Sequence, residues 1–314
     1  MKIAFYTPSI DVRGTCVAIY DYAHHNETLL GNKSVILVPT PARTAEGTAI
    51  WSKFSDRFEI RSFDSPEEME DVISDMDVLY TIKYGKNDGV FSKRVKTLIH
   101  CVFDMTEPHG TVFAAVSETL ARKFGKKEYV PHMVSLKPSN QKNYRELLGI
   151  PKDAVVFGRH GGQDTFNLGW AHRAIFRALE QRENIHIVLV NTPAYIKHHR
   201  VHYLSQIVSE EEKNAFISTC DAHLECGTLG HTFGLSIAEF SVNNKPIIAY
   251  GGEVWNRAHL DILGSNAFLY KDEESLFKIL VDFNKLDVEG RDWNCYRDYS
   301  PENVMDQFKR VFLD

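Results

Sequence analysis

A chain of 314 residues, 43% hydrophobic and 25% charged, has the composition of a globular protein, and its length suits two domains better than one. A net charge of −6 without a long Lys/Arg block argues against nucleic acid as a partner, and no apolar run approaches the ~20 residues that span a bilayer as a helix. The five cysteines (Cys16, Cys101, Cys220, Cys226, Cys295) contain no C-x-x-C pair, so neither a disulfide framework nor a zinc site is expected and the chain reads as soluble and cytoplasmic.

The chain opens with a short apolar run, "KIAFYT" at 2–7, ended by Pro8. The following stretch turns through Gly14 into a helical pattern that carries Val17, Tyr20 and His24. "KSVILVP" (33–39), "DVLYTIK" (77–83) and "VKTLIH" (95–100) are further candidates for buried strands, separated by loop or helix-like stretches, and this alternation predicts a parallel sheet covered by helices. The pattern restarts after "YVPHMVSLKPSNQKNY" (129–144), which has two prolines and no helical period. A strand over 154–158 and an amphipathic helix, "GWAHRAIFRALEQR", come next, followed by strands over 185–191, 201–208, 221–226 and 245–252. We therefore expect an α/β protein with a first domain over 1–138, a second over 139–299, and a final helix over 300–314 that presents Val304, Phe308 and Val311 or Phe312 on one face. "KHHRVH" at 197–202 lacks the helical His-x-x-x-His spacing of a metal site and reads as a solvated loop before a strand.

Two segments carry candidate chemistry. In "GHTFGLSIAEF" (230–240), Phe233, Ile237 and Phe240 fall on one buried stripe and Glu239 falls off it. Gly234 would let a ligand approach the first free N–H groups of the helix, where an anion is favoured; the competing reading is an ordinary loop-to-helix junction with a solvated glutamate. In "VVFGRHGGQDTF" (155–166), a strand delivers Arg159 and the pair Gly161 and Gly162, a guanidinium and open backbone suited to a diphosphate. Neither G-x-G-x-x-G nor a P-loop is present.

The order of "GRHGG", "VHYLSQIVSEEEKNAFISTCDAHL" and "GHTFGLSIAEFSVNNKPIIAY", with "HCVFDMTEPHGTVFAAVSETLARKF" before them, resembles the retaining GT-B-fold glycosyltransferases of the family 4 type over residues 95–252. The resemblance implies two Rossmann-like domains facing a cleft, with the last helix crossing back to the first. It also implies transfer of a sugar from a UDP- or GDP-sugar to the hydroxyl of a glycan, lipid or protein-linked sugar, with retention, no cofactor and no Asp-x-Asp metal site. In that family two carboxylates with seven residues between them contact the donor sugar and the ribose. Glu239 matches the second and His231 stands at the first, with Thr232, Phe233, Gly234 and Leu235 in the loop between. Arg159, Gly161 and Gly162 match the diphosphate site, although Asp164 stands where a lysine is usual. Gly14 and Thr15 match the first-domain phosphate loop. Ile207 matches the residue packing on the base, or is a plain core residue. His100 matches a sugar-facing histidine and is the expected catalytic residue, the other reading being a core or surface histidine at a strand end. The alternative to an enzyme is a protein of this fold that binds nucleotide or sugar without turnover.

Overall fold

The computed structural model describes residues 1–139 and 142–314. The chain divides into two compact units, one formed by Met1–Ser135 with Tyr299–Asp314 and the other by Leu136–Asp298.

Unit 1 is built on β1 (Lys2–Tyr6), β2 (Lys33–Pro39), β3 (Glu59–Phe63), β4 (Val78–Lys83), β5 (Lys96–Cys101) and β6 (Val112–Ala115). They form one parallel sheet in the order β3-β2-β1-β4-β5-β6. The central strands are buried on both faces, which explains why β4 is a continuous run without alternation. Its helices are α1 (Gly14–Thr28), α2 (Ala49–Ser55), α3 (Pro66–Val72) and α4 (Glu118–Lys123). Thr48, Ser65 and Ser117 start the last three by accepting a backbone N–H of the first turn.

Unit 2 contains β7 (Val155–Arg159), α5 (Gly169–Gln181), β8 (Ile185–Val190), β9 (Val201–Leu204), α6 (Glu210–Thr219), β10 (Ala222–Leu224), β11 (Gly230–His231), α7 (Leu235–Val242), β12 (Ile247–Tyr250), β13 (Asn256–Arg257), α8 (Ala258–Leu263), β14 (Phe268–Tyr270), α9 (Glu273–Asp282) and α10 (Lys285–Val288). Its main sheet, β14-β12-β10-β7-β8-β9, repeats the strand order of unit 1, the doubly wound 3-2-1-4-5-6 arrangement. β11 and β13 form a separate short parallel pair. β9 ends at Leu204, short of the expected 208, because Ser205 and Gln206 are exposed beyond the sheet edge.

The final helix α11 (Pro301–Phe308) belongs to unit 1, where Phe308 and Phe312 are fully buried against Tyr22, Tyr80 and His100. The apolar stripe read from its sequence is thus the missing part of the first unit's aromatic core.

The sheet of unit 2 leaves no room at Gly158, where a Cβ would lie 2.1 Å from Cys220 Sγ. Gly158→Ala is expected to lower the unfolding free energy of this unit by about 1–3 kcal/mol through overpacking, read as a fall in the urea midpoint. An unchanged midpoint would mean that α6, which ends just before Cys220, shifts without cost.

Candidate functional site

In a sheet of this order the connections leave in opposite directions from the first and fourth strands, and the crevice beyond their carboxyl ends is where ligands bind. In unit 2 those strands are β7 and β10. β7 delivers Arg159, His160, Gly161 and Gly162 to that place, and β10 delivers Glu225, Cys226 and Gly227.

The helix α7 closes one side. Gly234 precedes it with φ of 90°, a left-handed conformation that suits glycine and turns the chain from the buried Phe233 into the first helical residue, Leu235. Tyr296 fixes this turn by donating its hydroxyl to Phe233 O at 2.8 Å, and Thr232 is buried beside it. Glu239 was expected off the buried stripe; it is buried as well, because α7 packs against the sheet on one side and meets Lys213 of α6 on the other. Lys213 Nζ donates to Glu239 Oε1 at 2.5 Å, and His160 Nε2 lies 3.0 Å from Glu239 Oε2. Burial by itself would raise this carboxyl, but Lys213 and His160 outweigh it and hold Glu239 at about 2.

Arg159 is turned inward, only 1% exposed. Its guanidinium donates to Thr192 Oγ1 at 2.5 Å, Gly162 O at 2.6 Å and Thr165 Oγ1 at 2.5 Å, so the turn over 161–165 wraps the arginine rather than standing open beside it. Gly161 is held against this guanidinium as well, a Cβ there falling 3.0 Å from Arg159 Nη2. Asp164 sits in the same turn. Ile207 is half-buried in the segment after β9.

A second carboxylate, which no sequence pattern indicated, sits at the end of β10. Glu225 is almost wholly buried and its Oε1 lies 3.3 Å from Nε2 of His231. Burial would raise its carboxyl, yet His231, His223 and Arg159 together hold it at about 2. Gly227 leaves the space this side chain needs, since a Cβ there would lie 2.7 Å from Glu225 Oε1. His231 is in turn fixed from behind by its backbone N–H, which donates to His259 Nδ1 at 3.3 Å.

The candidates in unit 1 are arranged differently. Gly14 and Thr15 are exposed in the first turn of α1, after a loop tied by Asp11, which accepts from Ser9 Oγ and from the backbone N–H and guanidinium of Arg13. His100 is fully buried near the end of β5. Its Nδ1 is 2.6 Å from Tyr80 Oη and its Nε2 is 2.7 Å from Val130 O, so both ring nitrogens are engaged inside the unit. Burial depresses the ring to about 4. This is the geometry of a core histidine, and it offers no nitrogen to a sugar.

One Asp-x-Asp triplet does occur, Asp75-Met76-Asp77, contrary to the expectation of none. It lies just before β4, at the amino ends of the strands, with Asp75 paired to Lys2 and Arg61 and Asp77 Oδ2 accepting the backbone N–H of Lys2. Among the described residues no group of three or more His, Cys, Asp or Glu side chains is arranged to hold a metal ion, and no helix is long and apolar enough to cross a membrane. All five cysteines are free.

No protein-family model and no curated protein sequence matches the chain. Solved structures do. HepE from Anabaena, in complex with UDP and glucose, is similar over 99% of this chain and 98% of its own, at 14% identity and a TM-score of 0.71. A variant of S. aureus TarM, in complex with fondaparinux, α-GlcNAc-glycerol and UDP, is similar over 100% of both chains at 8% identity and a TM-score of 0.70. Sucrose-phosphate synthase from Thermosynechococcus elongatus is similar over 99% of this chain and 95% of its own, at 13% identity and a TM-score of 0.62. At such identities the likeness defines the fold: two Rossmann-like domains of the GT-B class, in agreement with the sequence reading.

Proposed function

We propose that the chain is a glycosyltransferase that moves a sugar from a UDP- or GDP-sugar to an acceptor hydroxyl, with retention and without a metal ion. The observation that carries this reading is the meeting of three segments at the switch point of unit 2. The loop after β7 touches α7 through His160 and Glu239, and the end of β10 touches the loop before α7 through Glu225 and His231. HepE and TarM, with UDP in their complexes, lend the fold-level support. In this reading the N–H groups at Gly234 and Leu235 face the diphosphate, Glu239 takes the ribose hydroxyls, and His231 faces the sugar. The departing diphosphate needs compensating positive charge, and Arg159 supplies it once the turn over 161–165 releases it. Glycan, lipid or protein-linked sugars remain the proposed acceptors.

A second reading, nucleotide or sugar binding without turnover, draws on two observations: Arg159 is saturated by internal partners, and His100 is saturated within the core. Calorimetry with UDP and GDP, together with nucleotide release from a panel of their sugars, separates the two. The expected result is uptake of one diphosphate and release of nucleotide when a sugar acceptor is supplied. Uptake without release supports the second reading, and no uptake of either nucleotide overturns both.

A further inference from the structure

The position where the resemblance calls for a sugar-binding carboxylate holds His231, and the nearest carboxylate stands six residues earlier in the chain. Glu225 is fixed through its backbone: its N–H donates to Ile248 O at 2.9 Å and its carbonyl accepts from Tyr270 Oη at 2.6 Å. Its side chain is 4% exposed, against 20% for His231, so the imidazole is the more accessible member of the pair. Nε2 of His231 lies 3.3 Å from Glu225 Oε1, within ion-pair distance, and neither atom has a hydrogen-bond partner elsewhere that would compete for it. The other ring nitrogen, Nδ1, makes no hydrogen bond among the described residues. The remaining groups around the pair are His259, whose ring crosses that of His231 at 5.0 Å and 88°, and the buried His223 and Arg159.

A carboxylate accepts hydrogen bonds and cannot donate them, so an imidazole facing one keeps its proton on the nitrogen that faces it. The opposite nitrogen is then a lone-pair acceptor. Resting on the transferase reading above, we propose that Glu225 is a positioning residue for His231: it holds the proton on Nε2 and leaves Nδ1 to accept a hydrogen bond from one hydroxyl of the donor sugar. The site thereby keeps an acceptor where related enzymes have a carboxylate, but a single one. A carboxylate can accept from two adjacent hydroxyls at once, whereas Nδ1 reads one. Sugar choice at this position is therefore expected to depend on one hydroxyl and to tolerate inversion of its neighbour.

The inference is tested in two ways on the full chain. In the ligand-free protein, ¹⁵N chemical shifts of the histidine ring at mildly alkaline pH should place the proton of His231 on Nε2 in the wild type, and Glu225→Gln, which can present a donor as well as an acceptor, should mix the two tautomers. A proton found on Nδ1 in the wild type, or a tautomer that Glu225→Gln leaves unmoved, overturns the inference whatever the protein binds. In calorimetry, Glu225→Gln should still take up UDP or GDP, which also shows that unit 2 is folded, while weakening UDP-glucose or GDP-mannose by about 10- to 100-fold relative to the bare nucleotide. Relocating the acid in Glu225→Gln/His231→Glu should recover at least about tenfold of that loss, whereas His231→Glu alone, setting two carboxylates side by side, should not. Nucleotide binding with no loss of sugar affinity in Glu225→Gln sinks this inference alone; absence of nucleotide binding sinks the transferase reading and the sugar role with it.

Discussion

Replacing Lys213 by methionine is expected to destabilise unit 2 by about 3 kcal/mol or more, the usual cost of leaving one member of a buried ion pair behind. Lys213 and Glu239 have side chains only 17% and 8% exposed, and the bond between them is 2.5 Å. Methionine fills the volume of the lysine stem but leaves the carboxylate with His160 alone. The second change decides whether charge is the cause: Lys213→Met/Glu239→Leu should recover most of the lost stability, because an apolar pair in place of a buried ion pair is close to neutral. Urea unfolding of the unit 2 transition reads both effects. Under the proposed function the double variant should be stable yet weakened in nucleotide binding, since Glu239 would be the ribose ligand. A single variant that loses less than about 1 kcal/mol would show Lys213 to be swinging in solvent instead of closing the pair.

That pair also shows where reading from the sequence stops. The parallel sheets were visible as apolar runs interrupted by helices, because strands buried on both faces carry no polar alternation, and β4 and β8 are of this kind. The turn into α7 was visible because a glycine there has a backbone reason, its φ of 90°. The burial of Glu239 was not visible. It depends on Lys213, 26 residues away on another helix, α6, whose first turn carries three glutamates behind the cap Ser209. Glu225 was read as the end of a strand, and only the fold brings His231 back to it. The burial of His100 was hidden for a related reason. The resemblance matches it to a sugar-facing histidine, with a core or surface histidine at a strand end as the other reading; β5 lies between β4 and β6, and the closing residues of the chain add Phe308 and Phe312 over the same core. The inward turn of Arg159 likewise depends on Thr192, which comes from the segment after β8.

Acid should unfold this protein well before its carboxylates are neutralised. His100 and His132 in unit 1 and His223 and His259 in unit 2 are buried, and burial depresses them from 6.5 to about 4, 3, 3 and 3 respectively. A histidine depressed in the folded state binds its proton first in the unfolded chain, so stability is full above the unfolded value of 6.5 and falls as the pH drops toward the folded one. Each such group removes about 2 kcal/mol by about pH 5, or about 4 kcal/mol per unit, a large share of the ~5–15 kcal/mol that holds a domain together. Glu225 and Glu239 do not contribute in that interval. Their carboxyls go from 4.5 unfolded to about 2 folded, so the stability they add is present above 4.5 and is lost only on the way down to about 2. Thermal unfolding followed by circular dichroism should therefore show Tm falling steeply between about pH 6.5 and 5. His223→Leu isolates one contributor, because neither ring nitrogen of His223 has a hydrogen-bond partner to lose. It should flatten the slope by about 2 kcal/mol over that range. A Tm that stays level down to about pH 5 would mean that these rings take up protons inside the folded chain and are not held neutral by burial.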